Sequence, residues 1–285
     1  MFQVKNYDFI LIEKEALPWM PGCIERFLLR RSRFALDFDD AQFHRYDAHY
    51  SWVVRTLFSK KIDRLISQAH VIISGNKYIS NHCETVGAKS IEIIPTVVDL
   101  DRYKPKQVYT CAERPRIVWI GTPETSRFLA IILGPLAELA KRYSFTLCVI
   151  GGSEIIMPGL NIEVLPWSAD MECAMISNCD IGIMPLPDAP WERGKCAYKL
   201  IQYMACGLPV VASPIGTNCD VIIDGENGFF ATSGAEWVAQ LGRLLCDAEL
   251  RQRLGQTGRL RVQSYYSLQK SATQFINLIK KAADK

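Results

Sequence analysis

The chain has 285 residues, 49% of them apolar and 22% charged, with a formal net charge of +3. That balance is globular and excludes a disordered chain, and so small a positive charge makes no case for nucleic acid as the main partner. The length fits one large domain or two ordinary ones, either able to bury a sizeable core.

The ten cysteines are scattered, and no two stand in C-x-x-C spacing. This argues against a zinc knuckle or a thioredoxin-like pair. Cys148, inside Phe145-Thr-Leu-Cys-Val-Ile150, reads as a small hydrophobe, and the whole as a reduced, cytoplasmic protein. The opening Met1-Phe-Gln-Val-Lys-Asn-Tyr-Asp8 lacks the apolar core of a signal peptide, and no apolar run approaches the ~20 residues of a membrane span. A soluble or peripheral protein is expected.

In chain order, Phe9–Ile12 reads as a buried strand. Residues 21–31 read as a helix with Ile24, Phe27 and Leu28 on one face, and Phe34–Phe38 as a strand running into Asp39-Asp40. One helix is expected over 53–69, from Val54, Leu57, Phe58, Ile62, Leu65 and Ile66 at helical spacing. Then come strand 71–74, helix 76–86, and strand 91–95, which Pro95 ends. Residues 98–114 are polar and aperiodic, so the domain boundary is placed there, between 107 and 108.

A second series follows. Strands are expected at 116–121, 146–152, 161–165, 181–186, 209–213 and 228–231. Helices are expected at 128–142, 169–178, 235–245 and from 248 onward, with another at 195–206 closed by Gly207. A last helix, 268–283, carries Phe275, Leu278 and Ile279 on one face. Alternating helices and doubly apolar strands mean an α/β fold of parallel sheets covered by helices. The expected domains are 1–107, 108–267 and the closing helix 268–285.

Ligands bind at the carboxyl ends of such strands. Those ends carry Gly121-Thr122, Gly151-Gly152, Pro185-Leu186 and Ser213-Pro-Ile-Gly-Thr217. Glycine lets a backbone approach a phosphate and a helix start attracts anions, although each glycine alone reads equally as a tight turn. Lys195 and Lys199 stand four apart on the expected helix, so both ammonium groups share a face. A diphosphate between them would explain the pair; a solvated basic face is the plainer alternative.

The segment Tyr198-Lys-Leu-Ile-Gln-Tyr-Met-Ala-Cys-Gly-Leu-Pro-Val-Val-Ala-Ser213 resembles the core motif of family 4 glycosyltransferases. The downstream Gly216-Thr-Asn-Cys-Asp-Val-Ile-Ile-Asp-Gly-Glu-Asn-Gly228 resembles the loop that follows it in that family. Ile117–Thr122, Asp180–Leu186, Asp37-Phe-Asp-Asp-Ala41 and Ile94–Asp99 match further landmarks in order. The resemblance implies a GT-B fold of two Rossmann-like domains and retaining transfer of a sugar from a nucleotide-diphosphate donor, with no metal or other cofactor. It implies that Gly121 and Thr122 contact the diphosphate and that Lys199, with Lys195, neutralises the leaving group. It places Asp220 near the ribose or base, within a donor site that also takes in Tyr198, Gln202, Gly216, Thr217 and Asn218. The closing helix would pack back toward the N-terminal domain.

Two departures stand out. The family's paired glutamates fall on Gly194 and Gln202, and Gln202 can hydrogen-bond a hydroxyl but cannot serve as a carboxylate. The resemblance also starts well inside the usual N-terminal domain. The expectation is therefore a truncated N-terminal half, or a partner chain that supplies the missing strands, with the edge at 7–12 left open.

Asp39, Asp40, His44 and His49 allow three readings: an acceptor-facing rim where Asp39 or Asp40 orients or deprotonates a hydroxyl, a mixed metal site, or a helix cap. The basic, amphipathic stretch Glu25–Arg33 reads as a solvated helix with one buried face, or as a peripheral contact with anionic lipid. The expected function is a glycosyltransferase acting on a saccharide or lipid-linked acceptor in bacterial surface-polysaccharide or glycolipid synthesis. It would work in the cytoplasm or at the inner face of the plasma membrane. The alternative is a non-catalytic nucleotide-sugar-binding protein or partner subunit.

Overall fold

The computed structural model describes residues 7–106, 109 and 114–284. The expected boundary at 107/108, the opening residues 1–6 and Cys111 lie outside the described residues. The chain forms two compact units: Met1–Thr96 with Asp188–Cys196 and Ser271–Lys285, and Val97–Pro187 with Ala197–Lys270.

The first unit holds a four-stranded sheet, β1 (Ile10–Glu13), β2 (Phe34–Phe38), β3 (Val71–Ser74) and β4 (Ile91–Ile93), in that order and all parallel. Phe34, Leu36 and Phe38 of β2 point to one face and join Ile72 and Ile79 in the core, as the period of two requires. Around the sheet lie α1 (Gly22–Leu29), α2 (His44–Asp47), α3 (Trp52–Phe58), α4 (Lys61–Ile66) and α5 (Lys77–Thr85).

The single helix expected over 53–69 is thus two. α4 is rotated to bury Lys61, Ile62, Leu65 and Ile66, whereas α3 buries no residue. The Lys61 ammonium sets that rotation. It donates to Glu15 Oε2 at 2.5 Å and to the Leu17 carbonyl at 2.6 Å, a buried polar anchor that apolar spacing does not reveal.

The second unit holds six parallel strands: β5 (Arg116–Ile120), β6 (Thr146–Ile150), β7 (Asn161–Leu165), β8 (Ile181–Met184), β9 (Val210–Ala212) and β10 (Gly228–Phe230). Their order is β10-β9-β8-β5-β6-β7, so the winding reverses between β5 and β8. Val118 and Ile120 of β5 enter one core and Ile117 and Trp119 the other, so helices cover both faces.

A short 3-10 turn (Thr125–Leu129) leads into α6 (Ala130–Ala140), and α7 (Glu172–Ser177) follows β7. The helix expected over 195–206 is α9 (Tyr198–Ala205), of the second unit, which starts three residues late; a separate short helix, α8 (Pro190–Arg193), of the first unit, precedes it. Between them Ala197 takes a left-handed conformation, φ 57° and ψ 26°, which a continuous right-handed helix cannot contain.

The unit is completed by α10 (Asn218–Val221), α11 (Gly234–Cys246) and α12 (Ala248–Tyr265). Ser233 and Glu236 form a reciprocal capping box at the start of α11. The last helix, α13 (Leu268–Asp284), ends against the first sheet. Arg33, just before β2, donates to the Ala282 and Ala283 carbonyls at 2.6 and 2.9 Å and so satisfies carbonyls that a helix end leaves open. Among the described residues no helix is long and apolar enough to cross a membrane.

Candidate functional site

Where the winding of an open parallel sheet reverses, its strands part and leave a crevice at their carboxyl ends. Here β5 pairs with β6 along five residues but with β8 only through Ile117–Ile181 and Val118–Gly182. Beyond the last β5–β8 pair, the Ile120 N–H donates to the Tyr203 hydroxyl of α9 at 2.9 Å. The buried Tyr203 side chain packs against Gly182, where an added Cβ would be 2.3 Å from its ring. Burial raises the phenol well above its ordinary range, so it stays neutral. These contacts seat the start of α9 at the mouth of the crevice.

The glycine turns meet at the same place. A Cβ on Gly121 would lie 2.5 Å from the Trp119 ring, one on Gly151 (φ 73°) 2.6 Å from the Gly121 carbonyl oxygen, and one on Gly152 3.0 Å from Trp119. The turns are glycine because the indole fills the space beneath them. Their amides are not an open cradle: Gly121 N–H donates to the Ile150 carbonyl at 3.0 Å and Thr122 N–H to Thr125 Oγ1 at 3.1 Å. What Gly121 contributes is a bare backbone surface beside the exposed Thr122. Lys199, half-buried on α9, holds its ammonium 4.7 Å from the centre of the Trp119 ring, a cation–π contact. The indole therefore links Lys199 to the Gly121 turn.

Lys195 lies outside the helix that carries Lys199, so the shared-face argument does not hold; its N–H donates to the Glu192 carbonyl at 3.2 Å. Tyr198 is exposed at the first position of α9, whose preceding residue Ala197 has no side chain able to cap it.

Gln202 is buried, contrary to the expected contact with a sugar hydroxyl. Its Nε2 donates to the Tyr103 hydroxyl at 2.8 Å, Tyr103 donates to Glu172, and the exposed Trp167 donates its indole N–H to the other oxygen of Glu172 at 2.6 Å. An amide can hand on a hydrogen bond inside the core where a carboxylate would carry charge. The sequence reading missed Tyr103, Glu172, Trp167 and Trp119, because nothing in their spacing marks them as neighbours.

In the loop after β9, Gly216 has φ 52°, and buried Asn218 donates from Nδ2 to the Ser213 carbonyl at 2.9 Å. That contact makes Asn218 a brace for the loop. Buried Thr217 Oγ1 has no hydrogen-bond partner. Half-buried Asp220 is held through its carbonyl by Arg261 Nη2 at 2.5 Å.

Asp39 and Asp40 follow β2 in the first unit. Asp39 Oδ2 lies 3.3 Å from the Lys14 ammonium, and its buried Oδ1 has no hydrogen-bond partner. The N-cap position of α2 is Phe43. Both ring nitrogens of His44 are engaged, with Asp47 at 2.8 Å and the Tyr78 hydroxyl at 2.9 Å, and His49 Nδ1 accepts from the Ser51 N–H at 3.0 Å. Among the described residues no three His, Cys, Asp or Glu side chains are grouped to hold a metal ion. The residue to add is Asp37, whose carboxyl is pushed up to about 6 by burial and then by the nearby charges of Asp39 and Glu13. A lone acid inside an apolar strand was the signal for it.

Residues 114–247 match the family described as "Glycosyl transferases group 1". A curated relative, MMP alpha-(1->4)-mannosyltransferase of Mycolicibacterium hassiacum, is 25% identical over 212 residues, 69% of this chain and 50% of that protein. The chain thus spans about half the length of this relative. Among solved structures, sucrose-phosphate synthase from Thermosynechococcus elongatus matches with TM-score 0.75 and 17% identity over 97% of this chain and 74% of that one. Anabaena Alr3699/HepE in complex with UDP and glucose matches with TM-score 0.73 and 16% identity over 96% and 78%. At such identities the likeness is one of fold: an α/β fold of parallel sheets like that of these GT-B glycosyltransferase neighbours.

Proposed function

We propose that the chain transfers a sugar from a nucleotide-diphosphate donor to an acceptor hydroxyl, with retention, and that the second unit holds the donor. The observation that carries this reading is the Lys199 ammonium stacked on Trp119, the ring that underlies the Gly121 turn at the β5/β8 crevice. The family match over residues 114–247 and a structural neighbour in complex with UDP and glucose support it.

As the bond to the sugar breaks, negative charge grows on the departing diphosphate. A cation already held in place stabilises that charge without reorganising. In this reading Gly121 and Thr122 admit the diphosphate, Lys199 takes its charge with Lys195 as a second cation, and no metal is called for. Thr217 offers its unpartnered hydroxyl to the donor, Gly216 and Asn218 shape that loop, and Asp220 meets the ribose or base. Tyr198 lines the helix start, while Gln202 acts through Tyr103. Asp39 and Asp40 orient the acceptor hydroxyl or take its proton. The acceptor would be a saccharide or a lipid-linked sugar of surface-polysaccharide synthesis, met in the cytoplasm.

Calorimetry with UDP and a donor-turnover assay, each on the parent and Lys199→Ala, test the assignment. A hydrogen bond to a charged group is worth about 1.5–3 kcal/mol, so UDP affinity should fall about 10- to 150-fold and turnover with it. Unchanged binding and turnover in Lys199→Ala would remove the donor site from this crevice. UDP binding without transfer to any saccharide would leave a nucleotide-sugar-binding protein.

A further inference from the structure

Beyond the end of α9, within the second unit, lies a cavity of about 470 Å³. Helix α12 supplies much of its lining. That helix approaches α9 through two glycines: Gly255 leaves no room for a Cβ beside the Gly207 carbonyl, and a Cβ on Gly258 would lie 3.0 Å from Met204 Cγ. With Leu254, Gly255, Gly258 and Val262 buried, the adjoining stripe of Gln252, Gln256, Arg259, Leu260 and Gln263 lines the cavity. At about 3.6 residues per turn, those five fall within about 100° of arc. The cavity is at the opposite end of α9 from Lys199, about 12 Å along an eight-residue helix.

Both cations of the lining are already engaged. The Lys106 ammonium donates to Asp180 Oδ1 at 2.6 Å and to the Cys179 carbonyl at 2.9 Å. Arg259 Nη1 donates to the Tyr103 and Ala205 carbonyls at 2.7 and 2.5 Å, at the helix end where open carbonyls attract a cation. Among the described residues no carboxylate lines the cavity. What is left is uncharged hydrogen-bonding capacity. The exposed amides of Gln252, Gln256 and Gln263 have no hydrogen-bond partner among the described residues. Arg259 Nε is a buried donor with none either, and a ligand oxygen would satisfy it.

A primary amide donates and accepts through one group, as does each hydroxyl of a sugar. Amides spaced along one wall, beside the apolar surfaces of Leu260, Pro105 and the Tyr109 ring, match a molecule that is polar at its edge and apolar on its faces. An anionic ligand would find the cations taken. A peptide would call for a strand edge or an apolar groove, and this polar helix face offers neither. The volume falls in the range of about 300–1,000 Å³ typical of small-molecule sites.

We propose that this cavity is a second saccharide site, which holds an uncharged di- or oligosaccharide by its hydroxyls, away from the β5/β8 crevice. The inference is independent of the donor-site reading, because it requires no sugar nucleotide and uses none of the residues assigned to the donor.

The test is saturation-transfer NMR of the full chain with maltose, lactose and N,N′-diacetylchitobiose, one at a time. At least one of these should bind, and saturating UDP should leave its signal unchanged. Gln252→Ala/Gln256→Ala, at exposed positions where alanine keeps the helix, should weaken that binding about tenfold while the urea midpoint stays the same. Leu260→Asp should weaken it as well, by placing a charge on the apolar side of the cavity. Binding of none of the three sugars, or an undiminished double variant, would overturn the proposal. So would displacement of the sugar by UDP, because the crevice would then be where it binds.

Discussion

Replacing Asp37 with asparagine should stabilise the first unit at neutral pH. The carboxyl sits near the end of β2, beside the charges of Asp39 and Glu13, and only Lys14 offsets them. Burial and those charges raise it from its ordinary 3.8 to about 6. The sign follows from where the proton is held. Below pH 3.8 both folded and unfolded chains carry it. Between 3.8 and about 6 only the folded chain does, so stability falls as pH rises through that window and stays lower above it. At about 1.4 kcal/mol for each tenfold change, the loss above pH 6 approaches about 3 kcal/mol, less where water reaches the carboxyl.

Asparagine has nearly the same shape, never ionises, and can donate to the neighbouring carboxylates. Urea unfolding of parent and Asp37→Asn at pH 4, 5, 6 and 7.5 reads the difference. The curves should lie close together at pH 4 and separate in favour of the variant by about 2–3 kcal/mol at pH 7.5. Parallel pH profiles, or a variant weaker than the parent at pH 7.5, would refute the account. If the stabilised variant also loses sugar transfer, the carboxylate is kept for function despite its cost to stability.

Two further substitutions probe the frame of each unit. In the first, Lys61→Met should destabilise by about 3–5 kcal/mol in thermal or urea unfolding, because it strands buried Glu25 without its cation and leaves buried Glu15 with Arg45 alone. The parent should also weaken as pH falls below 4.5: although burial works the other way, hydrogen bonds from Lys61 and Tyr46 hold the Glu15 carboxyl below that ordinary value, and their contribution is lost when it is protonated. In the second unit, Gly182→Ala should lower the urea midpoint at constant slope, by about 1–3 kcal/mol, as the new methyl meets the Tyr203 ring at 2.3 Å. No change would mean that α9 is not seated as described.

Much of the architecture was local and therefore legible. Phe34–Phe38, Val71–Ser74 and Asn161–Leu165 are strands at their expected limits, since short apolar runs bounded by turn residues need no distant information. Alternation of such runs with helices implied parallel sheets, and the motif around Tyr198–Ser213 pointed to the right neighbours in fold. The start of α9 after Ala197, and not at 195, was not legible, because alanine is the best helix former and only tertiary packing forces it left-handed. The break between α3 and α4 depends on Lys61 reaching Glu15, 46 residues earlier in the chain.

The site divides the same way. Sequence alone marked Gly121 and Lys199 as candidates, through strand ends and a motif. Folding decided that Trp119 would lie under one and against the other, that Gln202 would be buried on Tyr103, and that Asp37 would hold its proton near pH 6. Periodicity reports which way a residue faces along its own element. Which side chain it meets, and how much water is removed from it, depends on elements as far as eighty or more residues away, and those two quantities set a cation's placement and an acid's proton affinity.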